Sequence, residues 1–133
     1  MLEALDISAS GMIAQRVRMD TIAQNVASMD LTEDPSGAPG PYRRRFVVFE
    51  AGRDELGSAG VRAARVELDP APFRKVHEPW HPRADADGNV EYPNVNLAVE
   101  TVNMVSASRA YEANITAMEV TKAMMNATLR LLA

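Results

Sequence analysis

Apolar residues recur every seventh position at both ends of this chain. From Leu97 the steps fall on Met104, Tyr111, Met118, Met125 and Leu132, and all six are apolar. The row four residues on from these is mixed: Thr101, Ser108, Ile115, Lys122 and Leu129. No Pro or Gly interrupts residues 94–132, Pro93 precedes them, and Asn94 or Asn96 is placed to cap a helix start. The pattern predicts one helix over Asn94–Leu132 with a narrow apolar seam. About 36 residues at ~1.5 Å each make a rod of roughly 54 Å, against a mean globular helix of about 11–12 residues. A chain of 133 residues cannot wrap a core around such a rod. The helix is therefore expected to meet surfaces beyond its own small domain.

The same step organises the start of the chain. Leu5, Met12, Met19 and Val26 are all apolar, Ile22 flanks them, and Ala9 and Ala23 sit four after Leu5 and Met19. A second helix is predicted from Leu2 to about Ser28. Gly11 inside it costs roughly 1 kcal/mol relative to Ala, and with Ser8 and Ser10 it weakens the first turns. Residues 29–41 hold three Pro and two Gly, which is turn and loop chemistry. Tyr42–Glu50 reads as a strand, Ala51–Gly60 as a loop, and Val61–Leu68 as a second strand of alternating apolar and charged residues. Residues 70–93, rich in Pro and polar groups, are expected to be irregular with room for one short strand. The resulting fold class is mainly α with a small β insert. The N- and C-terminal long helices (1–30 and 94–133) pair as an antiparallel coiled coil, around a β-rich middle segment (31–93).

Composition changes this picture little, at 47% apolar and 24% charged residues. The net charge of −4 gives no global pull toward nucleic acid or an anionic membrane. No Cys is present, which removes disulfides, thiolate chemistry and zinc sites of cysteine type. Eight Met are many for this length and suit seams that adapt to more than one packing arrangement. No basic start followed by an apolar run marks a secretory signal, and no stretch approaches ~20 apolar residues. By those rules the protein stays in the cytoplasm, unless a dedicated export machine carries it.

Candidate chemistry is sparse. His77 and His81 are four apart and precede Asp85 and Asp87, but Pro79 and Pro82 break any helix that would align the imidazoles. These four residues define the alternative reading, a small metal-binding helical-hairpin domain. Asp85-Ala-Asp87-Gly88-Asn89 has its Gly one position early for a calcium loop and reads better as a tight turn. Arg43, Arg44 and Arg45 would alternate across a strand, which favours a solvated or subunit-facing edge over a phosphate patch. No nucleophile motif or Gly-rich phosphate loop appears. No catalytic, cofactor-binding or metal residues are assigned, no cofactor is expected, and neither nucleic acid nor a small-molecule substrate is expected as a partner.

Ser10-Gly11-Met12-x-Ala14-Gln15-Arg16-x-Arg18-Met19-x-x-Ile22-Ala23-x-Asn25-Val26-Ala27 resembles the N-terminal motif of bacterial flagellar rod, hook and hook-associated axial proteins. Met104-Val-Ser-Ala-Ser-Arg-Ala-Tyr111-Glu112-Ala113-Asn114 resembles their C-terminal motif. Between them, Pro41-Tyr42-Arg43-Arg44, Pro72-Phe73-Arg74-Lys75-Val76, His81-Pro82-x-Ala84-Asp85-Ala86 and Tyr92-Pro93-Asn94-Val95-Asn96 are similar to the proximal rod member of that family. Ser28 and Asn89 depart from its usual residues. The resemblance implies a structural subunit that stacks helically in the periplasmic drive shaft around the export channel, with another axial rod or hook subunit as the nearer alternative. The implied partners are copies of itself, other rod proteins, the membrane-ring/rod adaptor and the flagellar type III export apparatus, with no cleaved signal. The stripes and the two motifs together nominate assembly residues: Leu5, Met12, Met19, Ile22, Asn25, Val26, Leu97, Met104, Arg109, Tyr111, Glu112, Ile115, Met118, Met125, Leu129 and Leu132.

Overall fold

The structure is a computed structural model and describes residues 1–53, 57 and 59–132. Helix α1 (Leu2–Ala27) is followed by strands β1 (Arg45–Arg53), β2 (Ala59–Leu68), β3 (Arg74–His77) and β4 (Asn89–Tyr92), then by helix α2 (Leu97–Leu132). Two long terminal helices thus enclose a β-rich middle of two small antiparallel sheets, β1 with β2 and β3 with β4. No helix among the described residues is long and apolar enough to cross a membrane.

Of the two expected caps for α2, Asn96 takes the role. Its Oδ1 accepts from the amides of Ala98 at 3.0 Å and Val99 at 3.3 Å, satisfying two of the orphan donors of the first turn. Asn94 is engaged elsewhere, so the helix begins at Leu97 and not at the Asn94 start expected. Helix α1 ends one residue before Ser28, whose amide still bonds the Gln24 carbonyl at 3.0 Å.

The helices run antiparallel, with Asn25 beside Glu100 and Gly11 beside Asn114. From Gly11 to Asn25 and from Glu100 to Asn114 is fourteen residues in each helix, two heptads of continuous pairing. Met104, Tyr111, Met118 and Met125 lie half-buried along this pair. The companion row differs from the expected one. It falls three residues after the seven-step row rather than four, on Glu100, Ala107 and Thr121, all buried, with Asn114 half-buried between them. Thr101, Ile115, Lys122 and Leu129 are exposed instead. Size decides the matter. The paired face of α1 is itself small or polar, with Ser8, Gly11, Ala14, Thr21 and Asn25 buried beside Ile22, and it leaves room for a side chain of α2 such as Asn114, which packs against Gly11. Leu5, Met12, Met19 and Val26 are half-buried on the flank of that face.

Strands β1 and β2 pair from Arg45↔Leu68 to Arg53↔Ala59, with a register shift between Val48 and Phe49. β1 runs on through Ala51–Arg53 and β2 starts at Ala59, so each strand enters the expected Ala51–Gly60 loop; residues 54–56 and 58 of that loop lie outside the described residues. The hairpin lies against α1 where the Ser10 hydroxyl accepts the Val61 amide at 3.1 Å. Residues 70–93 are more regular than expected. β3 and β4 pair because Asp85 builds a turn: its Oδ1 accepts the amides of Asp87 at 3.0 Å and Asn89 at 2.8 Å. Gly88 at φ +78° closes it, a conformation disfavoured for residues with a Cβ.

A Cβ on Gly11 would sit 2.8 Å from Asn114 Nδ2. Gly11→Leu should therefore force the helices apart and cost about 1–3 kcal/mol, read as a lower urea midpoint. Gly52→Ala, with nothing within 4 Å, serves as the control and should leave the midpoint in place.

Candidate functional site

Two features of the helix pair bear on function, a polar knot at its base and an uncovered apolar stripe along α2. The knot starts from Asn25 in the last turns of α1, which has no exposed surface. Its Oδ1 accepts from the Tyr42 hydroxyl at 2.9 Å and the Arg45 amide at 3.0 Å. Its Nδ2 donates to the Arg45 carbonyl at 2.7 Å and to Glu100 Oε2 at 3.2 Å. Glu100 in the first turn of α2 is equally buried, and its Oε1 accepts Arg44 Nε at 2.6 Å. Arg44 Nη1 reaches Asp69 Oδ2 at 3.1 Å, while the Arg44 amide donates to Asn94 Oδ1 at 2.8 Å. Asn94 Nδ2 in turn donates to the carbonyls of Asp69 and Ala71, as does Arg43 Nη1.

The electrostatics follow from this geometry. Burial works against the charge on Arg44, but its bonds to Glu100 and Asp69 outweigh that and raise its pKa above the ordinary value. Burial pushes the Tyr42 phenol up, with Arg45 opposing and Asp34 and Glu100 adding to the rise. The expectation that Arg43, Arg44 and Arg45 form a solvated or subunit-facing edge is therefore corrected. Arg43 stacks over the Phe73 ring at 4.1 Å, Arg45 lies over Tyr42 at 5.3 Å, and Arg44 is the cation of the knot. The reason is that the strand starts only at Arg45, so Arg43 and Arg44 are not held to strand alternation.

The uncovered stripe lies on the other side of α2. Val102, Val105, Ala113, Val120, Met124, Ala127 and Leu131 are exposed and follow one another at helical spacing, with Arg109 and Thr116 filling the gaps. Two residues beyond Glu100, at ~100° per residue, place Val102 about 200° around the helix from the seam. Val102 is 69% exposed and Leu131 88%. Beyond Met125 every described residue of α2 is exposed, because α1 begins at Leu2 and runs out first.

Of the residues nominated from sequence, Leu97, Arg109, Glu112, Ile115, Leu129 and Leu132 are exposed on α2. Leu5, Met12, Met19, Val26, Met104, Tyr111, Met118 and Met125 are half-buried, while Ile22 and Asn25 are buried inside the chain. Sequence reading gave no site role to Arg44, Asp69, Asn94 or Glu100, although Arg44 and Asn94 stand in the quoted family motifs and Glu100 stands three residues after Leu97, the first position of the seven-step row of α2. His77 and His81 do not converge: His77 Nδ1 is 3.3 Å from Asn89 Oδ1, and the His81 ring sits 6.5 Å from that of Tyr92. No group of three or more His, Cys, Asp or Glu among the described residues is placed to hold a metal ion.

Comparison with known sequences matches residues 5–34 to the flagella basal body rod protein family. Residues 86–131 match the C-terminal family of the flagellar basal body rod FlgEFG proteins. Over nearly its full length the chain is similar to flagellar basal-body rod proteins FlgC. It is 42% identical to that of Yersinia enterocolitica, covering 98% of this chain and 97% of the relative. Identity to the Salmonella typhimurium protein is 41% over the same shares, and to the Bacillus subtilis protein 38% over 92% and 91%.

Tyr42 gives a pH test of the knot. Its folded pKa lies above the unfolded value near 10, so its contribution is complete below that pH and is lost as pH rises through the folded pKa. Tyr42→Phe should cost about 1 kcal/mol at neutral pH by removing one of the two donors to Asn25 Oδ1. The variant should also show a shallower fall in stability above pH ~10 than the parent, measured by urea unfolding across the alkaline range.

Proposed function

The chain belongs to the FlgC family of flagellar basal-body rod proteins, and from that premise we propose how its two helices build the rod. It is a structural subunit of the proximal rod and not an enzyme. It assembles with other basal-body rod components. In the proposed arrangement α1 and the Met104–Met125 row of α2 close the subunit on itself. The outer stripe of α2 and its unpaired end then pack on copies of this chain and on neighbouring rod proteins, with Leu97, Arg109, Glu112, Ile115, Leu129 and Leu132 on the contacting surfaces.

The outer stripe is the observation that carries this reading. An apolar row on the face of α2 turned away from its own partner serves no purpose in an isolated chain. By the observed pairing Leu2 lies opposite Ala123, leaving roughly 14 Å of α2 without α1 beside it. Burying five or six such side chains yields roughly 1.5–3 kcal/mol each, comparable to the roughly 4–15 kcal/mol lost on immobilising a subunit. One neighbour is thus barely enough, and several at once give stable growth.

Under the same reading the rod subunit works in the periplasm, in contact with the membrane-ring adaptor, after export through the flagellar type III apparatus without a cleaved signal. A chain with no Cys suits such a route, since no disulfide has to form or break in transit.

Leu131→Asp and Val120→Asp should leave the helical circular-dichroism signal and urea midpoint of the purified chain unchanged. In a strain lacking the native copy they should fail to restore swimming, because a charge in a buried contact is not tolerated. Met118→Asp, on the paired face, should lose both. Swimming restored by Leu131→Asp and Val120→Asp would exclude the outer stripe as the contact.

A further inference from the structure

We propose that the buried Asn25–Glu100–Arg44 knot is the register lock of the helix pair, the element that forbids α1 and α2 from pairing one heptad out of step. The apolar row of α2 cannot do this. Met104, Tyr111, Met118 and Met125 repeat at a strict seven, so a slide of one heptad, about 10 Å, replaces each large side chain by another. Nor does chain connectivity fix the offset. Residues 28–44 join α1 to β1, and at ~3.3 Å each they reach much farther than one heptad.

The second row breaks the degeneracy. In the observed register Glu100 meets Asn25 and Asn114 meets Gly11, and the residues midway, Arg18 and Ala107, fall opposite each other. Large thus stands against small at each level above the knot. Slide α2 one heptad so that Gly11 meets Ala107, and Asn25 passes beyond the start of α2 and loses Glu100. Slide it the other way so that Gly11 meets Thr121, and Glu100 passes beyond Ala27 while still tied to Arg44. Either slip leaves a buried amide or carboxylate short of a partner. A buried polar group that needs a specific partner is a known way to single out one register from several that pack equally well. Because Arg44 and the Arg45 backbone belong to the insert, the same lock also fixes where the insert sits along the rod axis.

The chain has no Cys, so the register can be read by introduced pairs. Gly11→Cys with Asn114→Cys reports the observed register, since a Cβ at Gly11 lies 3.0 Å from Asn114 Cγ. Gly11→Cys with Ala107→Cys, and with Thr121→Cys, report the two slips. The purified chain is oxidised at high dilution, and the intramolecular disulfide is scored by mobility on a non-reducing gel, a readout independent of whether copies assemble. Only the Gly11/Asn114 pair should close, with the slipped pairs lower by roughly tenfold or more. The triple variant Asn25→Leu, Arg44→Met, Glu100→Leu removes the knot without stranding a charge. It should keep its helical signal while the slipped pairs rise to within about threefold of the observed one. Should that variant lose its helical signal, Asn25→Ala alone carries the test and should raise the Gly11/Ala107 crosslink. The proposal fails if these variants keep the exclusive Gly11/Asn114 pattern, if the parent closes the slipped pairs equally well, or if no pair closes.

Discussion

Glu100 is a carboxylate with no exposed surface, at the point where both helices and the β insert converge. Desolvating a charge there is unfavourable, and a single ion pair rarely recovers the loss. What makes it tolerable is the number of groups that turn toward it. Arg44 supplies the countercharge, Asn25 adds a neutral donor, and Asp69 holds the far end of the same guanidinium. Asn25 is itself saturated by Tyr42 and the Arg45 backbone. Removing Arg44 leaves the buried Glu100 without its countercharge, so the convergence of the three segments depends on the whole group.

The rest of the pair can then be loosely specified. Its seam combines a Met-rich row with small and polar residues, which buries Gly11 and Ala107 but has little shape that is unique. A seam of this kind closes the subunit and leaves much of the apolar surface of α2 free. The helix keeps a second stripe on its opposite side and about 14 Å of unpaired length at its end. In the proposed arrangement one element is thereby divided between folding and assembly.

Much of this could be read from sequence because it depends on period. Seven-residue spacing located both helices, and the absence of Pro and Gly after Pro93 gave the length of α2. Period alone did not say on which side of the Met row the partner lies. Thr101 and Glu100 are both polar, and only the small, close face of α1 selects the row holding Ala107. The β3–β4 pair was hidden for another reason: short strands of four residues in a Pro-rich segment carry no periodic signal, and their pairing rests on the Asp85 turn. The roles of Arg44, Asp69 and Asn94 could not be read because their partners lie 23 to 56 residues away, and nothing local marks a side chain that will be buried by a distant one. Asn25 entered through family resemblance, which identified the position without identifying its partners.

A rod subunit has to carry shear between its helix pair and its β insert, and here the insert is weak by construction. Two-stranded sheets are marginal on their own. β1–β2 leans on α1 through the Ser10 hydroxyl and the Val61 amide, and β3–β4 is held by its own turn. Apolar contacts between such sheets and a helix resist separation but slide easily, since dispersion has no direction. The directional bonds are concentrated in the knot, where the first residues of β1 meet the ends of both helices. Load passed from the helix pair to the insert therefore crosses charge-assisted and amide bonds of 2.6, 2.7 and 3.0 Å. Displacement along the rod axis breaks several of them at once. The insert takes its rigidity from the helices, and it does so at Glu100.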